Sequence, residues 1–267
     1  MIHSTAIIDK SVQIDPSAEI GPYAVIGPKT IIKSNVVVHP HAVIEYSEIG
    51  SGCRIFSGAS VGCAPQDLKY NDEETKLIVG DNTIIREFAT LNRGTASSGV
   101  TKIGARCLFM AYSHVAHDCI IGNQVILANS VALAGHVRVD DDVILGGLVG
   151  VHQFVHIGRS AMIGAGSMIP LDVPPYVLGS GDRMKLVGIN IIGLKRKKLT
   201  NSKVQAIKNA YRTLFLSDRP INESILLLRK YDQIEEVQEM ICFVENSKRG
   251  ICSARTKNMS VDQEQLV

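Results

Sequence analysis

The sequence predicts a mainly β chain: a parallel β-helix of hexapeptide repeats over residues 1–186, then an α-helical domain with a polar tail over residues 187–267. Three observations predict it. Aliphatic residues recur every six positions, a period that fits neither the roughly 3.6-residue turn of a helix nor the alternation of a hairpin strand. Aromatic residues make up only 5% and Trp is absent, so Ile, Val, Leu and Ala must fill the core, which suits thin, repeated packing. Beyond Leu186 the apolar residues change to helical spacing.

Taken in order, the repeat begins at Ile8, Ile14, Ile20, Ile26, Ile32, Val38 and Ile44. It slips by one residue, resumes at Ile49, Ile55 and Val61, and returns at Val79, Ile85 and Leu91. From Ile103 to Ile169 it runs without a miss. Four positions after the aliphatic residue comes a small or β-branched one (Ala24, Thr30, Ala42, Cys107, Ser113, Cys119, Val125), predicted to be an inward filler. Three hexads make one triangular coil. Successive coils stack at about 4.8 Å and satisfy each other's backbone groups. Two polar stretches, "CAPQDLKYNDEETK" (63–76) and "NRGTASSGVTK" (92–102), read as loops leaving the prism, the second lengthening its coil by one hexad. Binding residues concentrate on such loops.

The repeat is predicted to end at "IPLDVPPYVLG", because Pro174 and Pro175 cannot donate to a ladder. Val204, Ile207, Tyr211, Leu214 and Phe215 then predict a helix, with Asn201 or Ser202 as its N-cap. Ile225 and Leu228 predict a second, and Ile234, Val237, Ile241 and Val244 a third. The last twenty or so residues are polar and read as a frayed end.

Composition narrows the function classes. "MIHSTAIIDKSVQ" shows no basic region followed by an apolar stretch, so no secretory signal is visible. No run approaches the roughly 20 apolar residues of a membrane span. The six cysteines form no CxxC pair and read as reduced thiols, which places the chain in the cytoplasm. A net charge of +2 argues against nucleic acid as a partner, yet Arg183 to Arg212 holds nine Lys or Arg and no acid, so basic character is local.

The run "SHVAHDCIIGNQVILANSVALAGHV" (113–137) carries His114, His117 and His136, groups able to titrate near neutrality. On three-hexad coils counted from Ile103, His114 and His117 take offsets 11 and 14, His136 offset 15 of the next coil and His152 offset 13 of the one after. The four climb one corner of the prism, and none occupies an inward position. Gly135, one full coil after His117, lies directly above it. A column of imidazoles could also hold zinc, which leaves a hexapeptide-repeat zinc enzyme of the carbonic-anhydrase type as the alternative reading, though the neighbouring Gly, Ala and Asn pattern matches it less well.

"HVAHDC", "LANSVALAGHV", "VHQF", "QDLKY", "DVPPY" and "GINIIGLKRKK" together resemble the cytosolic UDP-N-acetylglucosamine O-acyltransferases of lipid A biosynthesis, over nearly the whole chain. The resemblance implies a left-handed β-helix, although the general crossover rule favours the right hand. It implies transfer of a (R)-3-hydroxyacyl group from acyl carrier protein to the glucosamine 3-hydroxyl of UDP-N-acetylglucosamine, without a cofactor or metal. His117 matches the family's general base. The Gly135 N–H is the expected oxyanion donor, and Asp118 either orients the base or faces solvent. Nucleotide contacts carry over to Asp67, Lys69, His114, His136, Gln153, Asn190 and Arg196, with Gln66 and His152 as further contacts. Ala165 matches a position that measures the acyl chain, and Arg183 stands near the acyl tail. One flat prism face makes a poor pocket, so a homotrimer with clefts between prisms is expected. The basic stretch would meet acyl carrier protein, an acidic partner.

Ile192 stands where several family members carry Glu, which bears on one uridine or ribose contact. Neither the acyl length nor the choice between UDP-N-acetylglucosamine and its 3-amino analogue is legible. The later N-acyltransferase of the same pathway carries a uridine-binding domain before its prism, and hexads that start at Ile8 leave no room for one.

Overall fold

The side chains of the hexad residues decide the architecture. In the computed structural model, which describes residues 1–231 and 234–254, the aliphatic series from Ile20 to Ile169 points inward and is almost fully buried. Ile8 and Ile14 are only half-buried, because they lie at the open end of the stack. All seven predicted fillers are buried as well. Short strands, mostly of two residues, joined by tight corners form three sheets of nine, eight and ten strands among the described residues, parallel but for the last strand of the third. We number the faces in the order the chain meets them: the first begins at Ile7–Ile8, the second at Gln13–Ile14 and the third at Glu19–Ile20.

Register follows the sequence spacing. Ile26 stacks on Ile44, a full three-hexad coil further on, and the slip appears as Ile32 on Ile49, one position short of a full coil. Ile49 meets Val79, so the loop 63–76 lengthens its coil by two hexads; Val79 meets Ile103, so the loop 92–102 lengthens its coil by one. From Tyr23 onward most corners turn through a residue in the left-handed region, at a cost of about 1–2 kcal/mol where it is not glycine. Between the first and second faces they include Asp118 (φ 60°), His136 (φ 60°) and Phe154 (φ 64°). Backbone bonds from His136 N–H to the His117 carbonyl (3.0 Å) and from Phe154 N–H to the Gly135 carbonyl (3.2 Å) lock these turns in register. That corner therefore carries two columns, His117–Gly135–Gln153 and Asp118–His136–Phe154.

The ladder outlasts the prolines at which it was expected to end. Val173 still bridges to Ile157, and Val177–Ser180 pairs in parallel with Met162–Ile163. Pro174 and Pro175 fall in the intervening corner, where no ladder N–H is needed. Lys185–Ile189 then returns antiparallel and completes the third face.

Four helices follow among the described residues: α1 (Ile191–Arg196), α2 (Asn201–Phe215), α3 (Ile221–Tyr231) and α4 (Glu235–Asn246). The last three are those the spacing predicts. Helix α1 is too short to show a period, and Asn190 caps it by accepting from Gly193 N–H at 2.9 Å. The N-cap of α2 is Thr200, one residue before the expected Asn201 or Ser202; its extended backbone lets Oγ1 accept from Lys203 N–H. No helix is long and apolar enough to cross a membrane among the described residues.

Helix α4 packs back on the prism, with Phe243 on the His156 ring (4.5 Å) and Glu239 against Arg159 (3.1 Å). The expected frayed end is ordered in its first part. Asp172 N–H donates to the Gly250 carbonyl, Cys252 N–H to the Asp172 carbonyl and Leu186 N–H to the Ser253 carbonyl, each at 2.9 Å. Residues 255–267 of that end lie outside the described residues.

Candidate active site

The corner between the first and second faces gathers the titratable groups. His117 is 5% exposed, and its Nδ1 lies 2.8 Å from Asp118 Oδ2. An ionised carboxylate can only accept, so Nδ1 carries the proton and Nε2 keeps its lone pair. The ring is covered by Gly135: an ideal Cβ there would lie 2.6 Å from His117 Cε1 and 2.7 Å from Nε2, so only glycine permits this coil-on-coil approach. Among the described residues the Gly135 N–H donates to no carbonyl or side chain, which leaves a donor beside the His117 ring.

Asp118 does not face solvent. It is buried, and its oxygens accept from Thr95 N–H (3.0 Å), Thr95 Oγ1 (2.6 Å), the Ser98 hydroxyl and His117. Burial alone would raise its pKa; the hydroxyls of Ser98 and Thr95, the Thr95 N–H and His117 outweigh it and hold the carboxyl at about 2. His136 stands edge-on to His117 (5.2 Å), stacks on Phe154 (4.6 Å), and has Nε2 3.6 Å from Asp118 Oδ2, beyond hydrogen-bond length. His114 Nδ1 bonds Thr90 Oγ1 at 2.7 Å, and burial first, then the neighbouring His117, pushes its pKa down. Cys119, an inward filler, is pushed up to about 12 by burial and is no nucleophile.

The loop 63–76 arches over this corner. Asp67 brings Oδ2 to 3.9 Å from His117 Nε2, while Gln66 and Lys69 are exposed beside it. Buried Arg93 staples the loop down: Nε donates to the Tyr70 hydroxyl (3.1 Å) and Nη1 to Glu45 and the Gly62 carbonyl (each 3.0 Å). Sequence reading missed Arg93, Thr95 and Ser98. The only available signal was their place in an aperiodic, hydroxyl-rich insertion.

A mainly apolar groove of about 480 Å³ runs up the first face from His114 past Ala132, Gly150 and Met168 to Arg183. Ala165 is exposed at the neighbouring corner and does not line it. His152 lies on the groove's rim, where its Nδ1 meets Arg249 at 2.7 Å, while exposed Gln153 continues the His117 column. Arg249, which also donates to the Pro170 carbonyl at 2.7 Å, gave no sequence signal because its segment read as frayed.

Two expected contacts lie elsewhere. Asn190 and Arg196 line a cavity of about 290 Å³ between α1 and the third face, with Ile144, Met162 and Leu178. The prism core separates them from His117 of the same chain. Exposed Ile192 lies at this second cavity, where the family's Glu would stand.

Comparison with known proteins matches this arrangement. Residues 172–252 match the family model for Udp N-acetylglucosamine O-acyltransferase, Domain 2, and residues 11–46 and 101–135 match the bacterial transferase hexapeptide (six repeats) model. The acyl-[acyl-carrier-protein]–UDP-N-acetylglucosamine O-acyltransferase of Aliarcobacter butzleri (strain RM4018) is 48% identical over 204 residues, 76% of this chain and 78% of the relative. LpxA from Acinetobacter baumannii superposes with a TM-score of 0.92 at 44% identity, covering 94% of this chain and 99% of that one. The UDP-N-acetylglucosamine acyltransferase of Francisella novicida gives 0.93 at 37%, covering 100% and 99%. The β-helix is left-handed, the hand the resemblance implied. The chain is an acyltransferase and belongs to the family of acyl-[acyl-carrier-protein]–UDP-N-acetylglucosamine O-acyltransferases.

Proposed function

We propose that this chain transfers a (R)-3-hydroxyacyl group from acyl carrier protein to the 3-hydroxyl of UDP-N-acetylglucosamine, in the cytoplasm and as the first step of lipid A biosynthesis, with His117 as general base. The observation that carries the reading is one corner holding an imidazole with a free Nε2, a carboxylate on its Nδ1 and an unengaged glycine N–H beside it. Nε2 takes the proton of the 3-hydroxyl as its oxygen attacks the thioester carbonyl. The oxyanion that forms accepts from the Gly135 N–H. Collapse breaks the carbon–sulfur bond, and the departing thiolate recovers the proton from the imidazolium. Asp118 stays ionised throughout and faces the positive ring.

Gln66, Asp67, Lys69, His114, His136, His152 and Gln153 rim this corner and would hold the sugar nucleotide. The groove up the first face would take the acyl chain, with Arg183 at its far end; Ala165 would limit the chain's length only where the chain leaves the groove at the adjacent corner. The exposed Lys195, Arg196, Lys197 and Lys198 suit an acidic carrier protein. The zinc alternative has a geometric basis in His117, Asp118 and His136, whose ligand atoms lie within 4.8 Å of one another. The hydrogen bonds already filling Asp118 favour the acid–base reading over it.

The test offers the purified protein UDP-N-acetylglucosamine or its 3-amino analogue with 3-hydroxyacyl carrier proteins of graded length, and reads the product by mass spectrometry. An acylated nucleotide is expected, undiminished by a chelator. No product from any pair, or activity that follows zinc, would overturn the reading.

The placement of Asn190 and Arg196 supports a homotrimer in which one chain supplies His117 and its neighbour supplies Asn190 and Arg196. His117→Ala and Arg196→Ala chains, each inactive alone, are then expected to recover about a quarter of the wild-type rate when unfolded together and reassembled, because that share of clefts regains both groups. A site contained within one chain would recover nothing.

A further inference from the structure

We propose that Thr95 and Ser98 are positioning residues for the reaction: their hydroxyls commit the Asp118 carboxylate to His117 and away from His136. This rests on the general-base reading of His117. Asp118 Oδ2 has two imidazoles within reach, His117 Nδ1 at 2.8 Å and His136 Nε2 at 3.6 Å. Nothing in Asp118 itself prefers one over the other, since a turn of its carboxylate exchanges them. The loop 92–102 removes that freedom. Thr95 grips both oxygens at once, with N–H on Oδ1 (3.0 Å) and Oγ1 on Oδ2 (2.6 Å). Ser98 supplies a further donor to Oδ1. Its hydroxyl also lies 3.0 Å from the Val100 carbonyl, but it has one proton, and the charged carboxylate is the stronger acceptor.

The backbone of Asp118 is fixed separately by Thr101 Oγ1 at 2.8 Å, so the two hydroxyls are not needed to hold the corner itself. They set the direction of the carboxylate. With it fixed, Nδ1 of His117 keeps its proton and Nε2 stays the basic atom. Released, the carboxylate can swing to His136, and the His117 ring loses both its orienting partner and the charge that stabilises its protonated form. The extra hexad by which this loop lengthens its coil thus acquires a role: it brings two hydroxyls over a buried acid that the regular repeat alone would leave uncovered.

The test compares wild type with Thr95→Val, Thr95→Ser, Ser98→Ala and the Thr95→Val/Ser98→Ala pair, reading kcat, KM for UDP-N-acetylglucosamine and the pH profile of kcat/KM. Every variant keeps the Thr95-position N–H, so the loop stays tethered, and thermal melting verifies the fold. The expected result is a fall of about tenfold in kcat for Thr95→Val, deeper in the pair, with KM little changed. The acidic limb of the profile should move to lower pH, because an imidazolium facing a loosened carboxylate gives up its proton more readily. His114, His136 and Asp67, the other titratable groups at this corner, are untouched in all variants. Thr95→Ser should recover most of the rate, since it restores the hydroxyl.

A folded double variant with wild-type kcat and an unmoved pH profile would overturn the inference, as would a rise in KM alone. His117→Ala run alongside separates the two failures. If His117→Ala is crippled while the hydroxyl variants are normal, only the positioning role falls. If His117→Ala is itself normal, the base assignment falls first.

Discussion

Replacing His117 by Ala is expected to lower kcat by about 10²–10⁴-fold, with KM for UDP-N-acetylglucosamine changed only a few-fold. A sugar hydroxyl is a weak nucleophile, and at this corner only His117 combines a free Nε2, a fixed tautomer and a place beside an available backbone donor. His136 cannot replace it, because its ring is stacked on Phe154 and its Nε2 is 3.6 Å from the carboxylate. His114 is tied to Thr90 and its pKa is pushed down by burial. The fold should survive the change, because Asp118 keeps both Thr95 donors and Ser98. Its depressed pKa of about 2, against an ordinary 3.8, contributes stability that is fully present above the unfolded value and lost as pH falls toward 2. Activity measured near neutrality is therefore free of that acid transition. A folded variant with a near-normal rate would remove His117 from the role of base.

How much of this was legible in the sequence depends on where the three-hexad coil holds. Within the uninterrupted run from Ile103 to Ile169, counting alone puts Gly135 over His117 and His136 at the same corner, and the structure agrees to the level of a ring under a backbone. Stacking at fixed register turns sequence distance into spatial distance, which few folds allow. The reading stops where the period stops. Thr95 and Ser98 lie in an insertion with no repeat, so nothing in their spacing announces that they close over Asp118. Arg249 reaches His152 only because the chain after α4 returns to the prism, and polar composition hid that return. Pro174 and Pro175 misled for a different reason. Proline ends a ladder only if its N–H is needed there, and a corner does not need it. Asn190 and Arg196 were identified by likeness to a family motif, which names residues without saying which face they occupy.

Gly135→Ala is expected to lower kcat by about 10²-fold while costing about 1–3 kcal/mol of stability, and the two effects have one cause. The backbone at Gly135 is outside the left-handed region, so alanine meets no conformational penalty. What it meets is the His117 ring, with Cβ 2.6 Å from Cε1 and 2.7 Å from Nε2. Either the ring tilts and stretches its 2.8 Å bond to Asp118, or the two coils separate at this corner. Both move the His117 ring relative to the Gly135 N–H, the pair whose spacing the proposed reaction needs. A double-mutant cycle decides whether the ring carries the effect. In the His117→Ala background the ring is gone, so Gly135→Ala should cost almost nothing further. If the two losses multiply instead, glycine at this position acts through the oxyanion rather than through the base, and its close approach to His117 is packing alone.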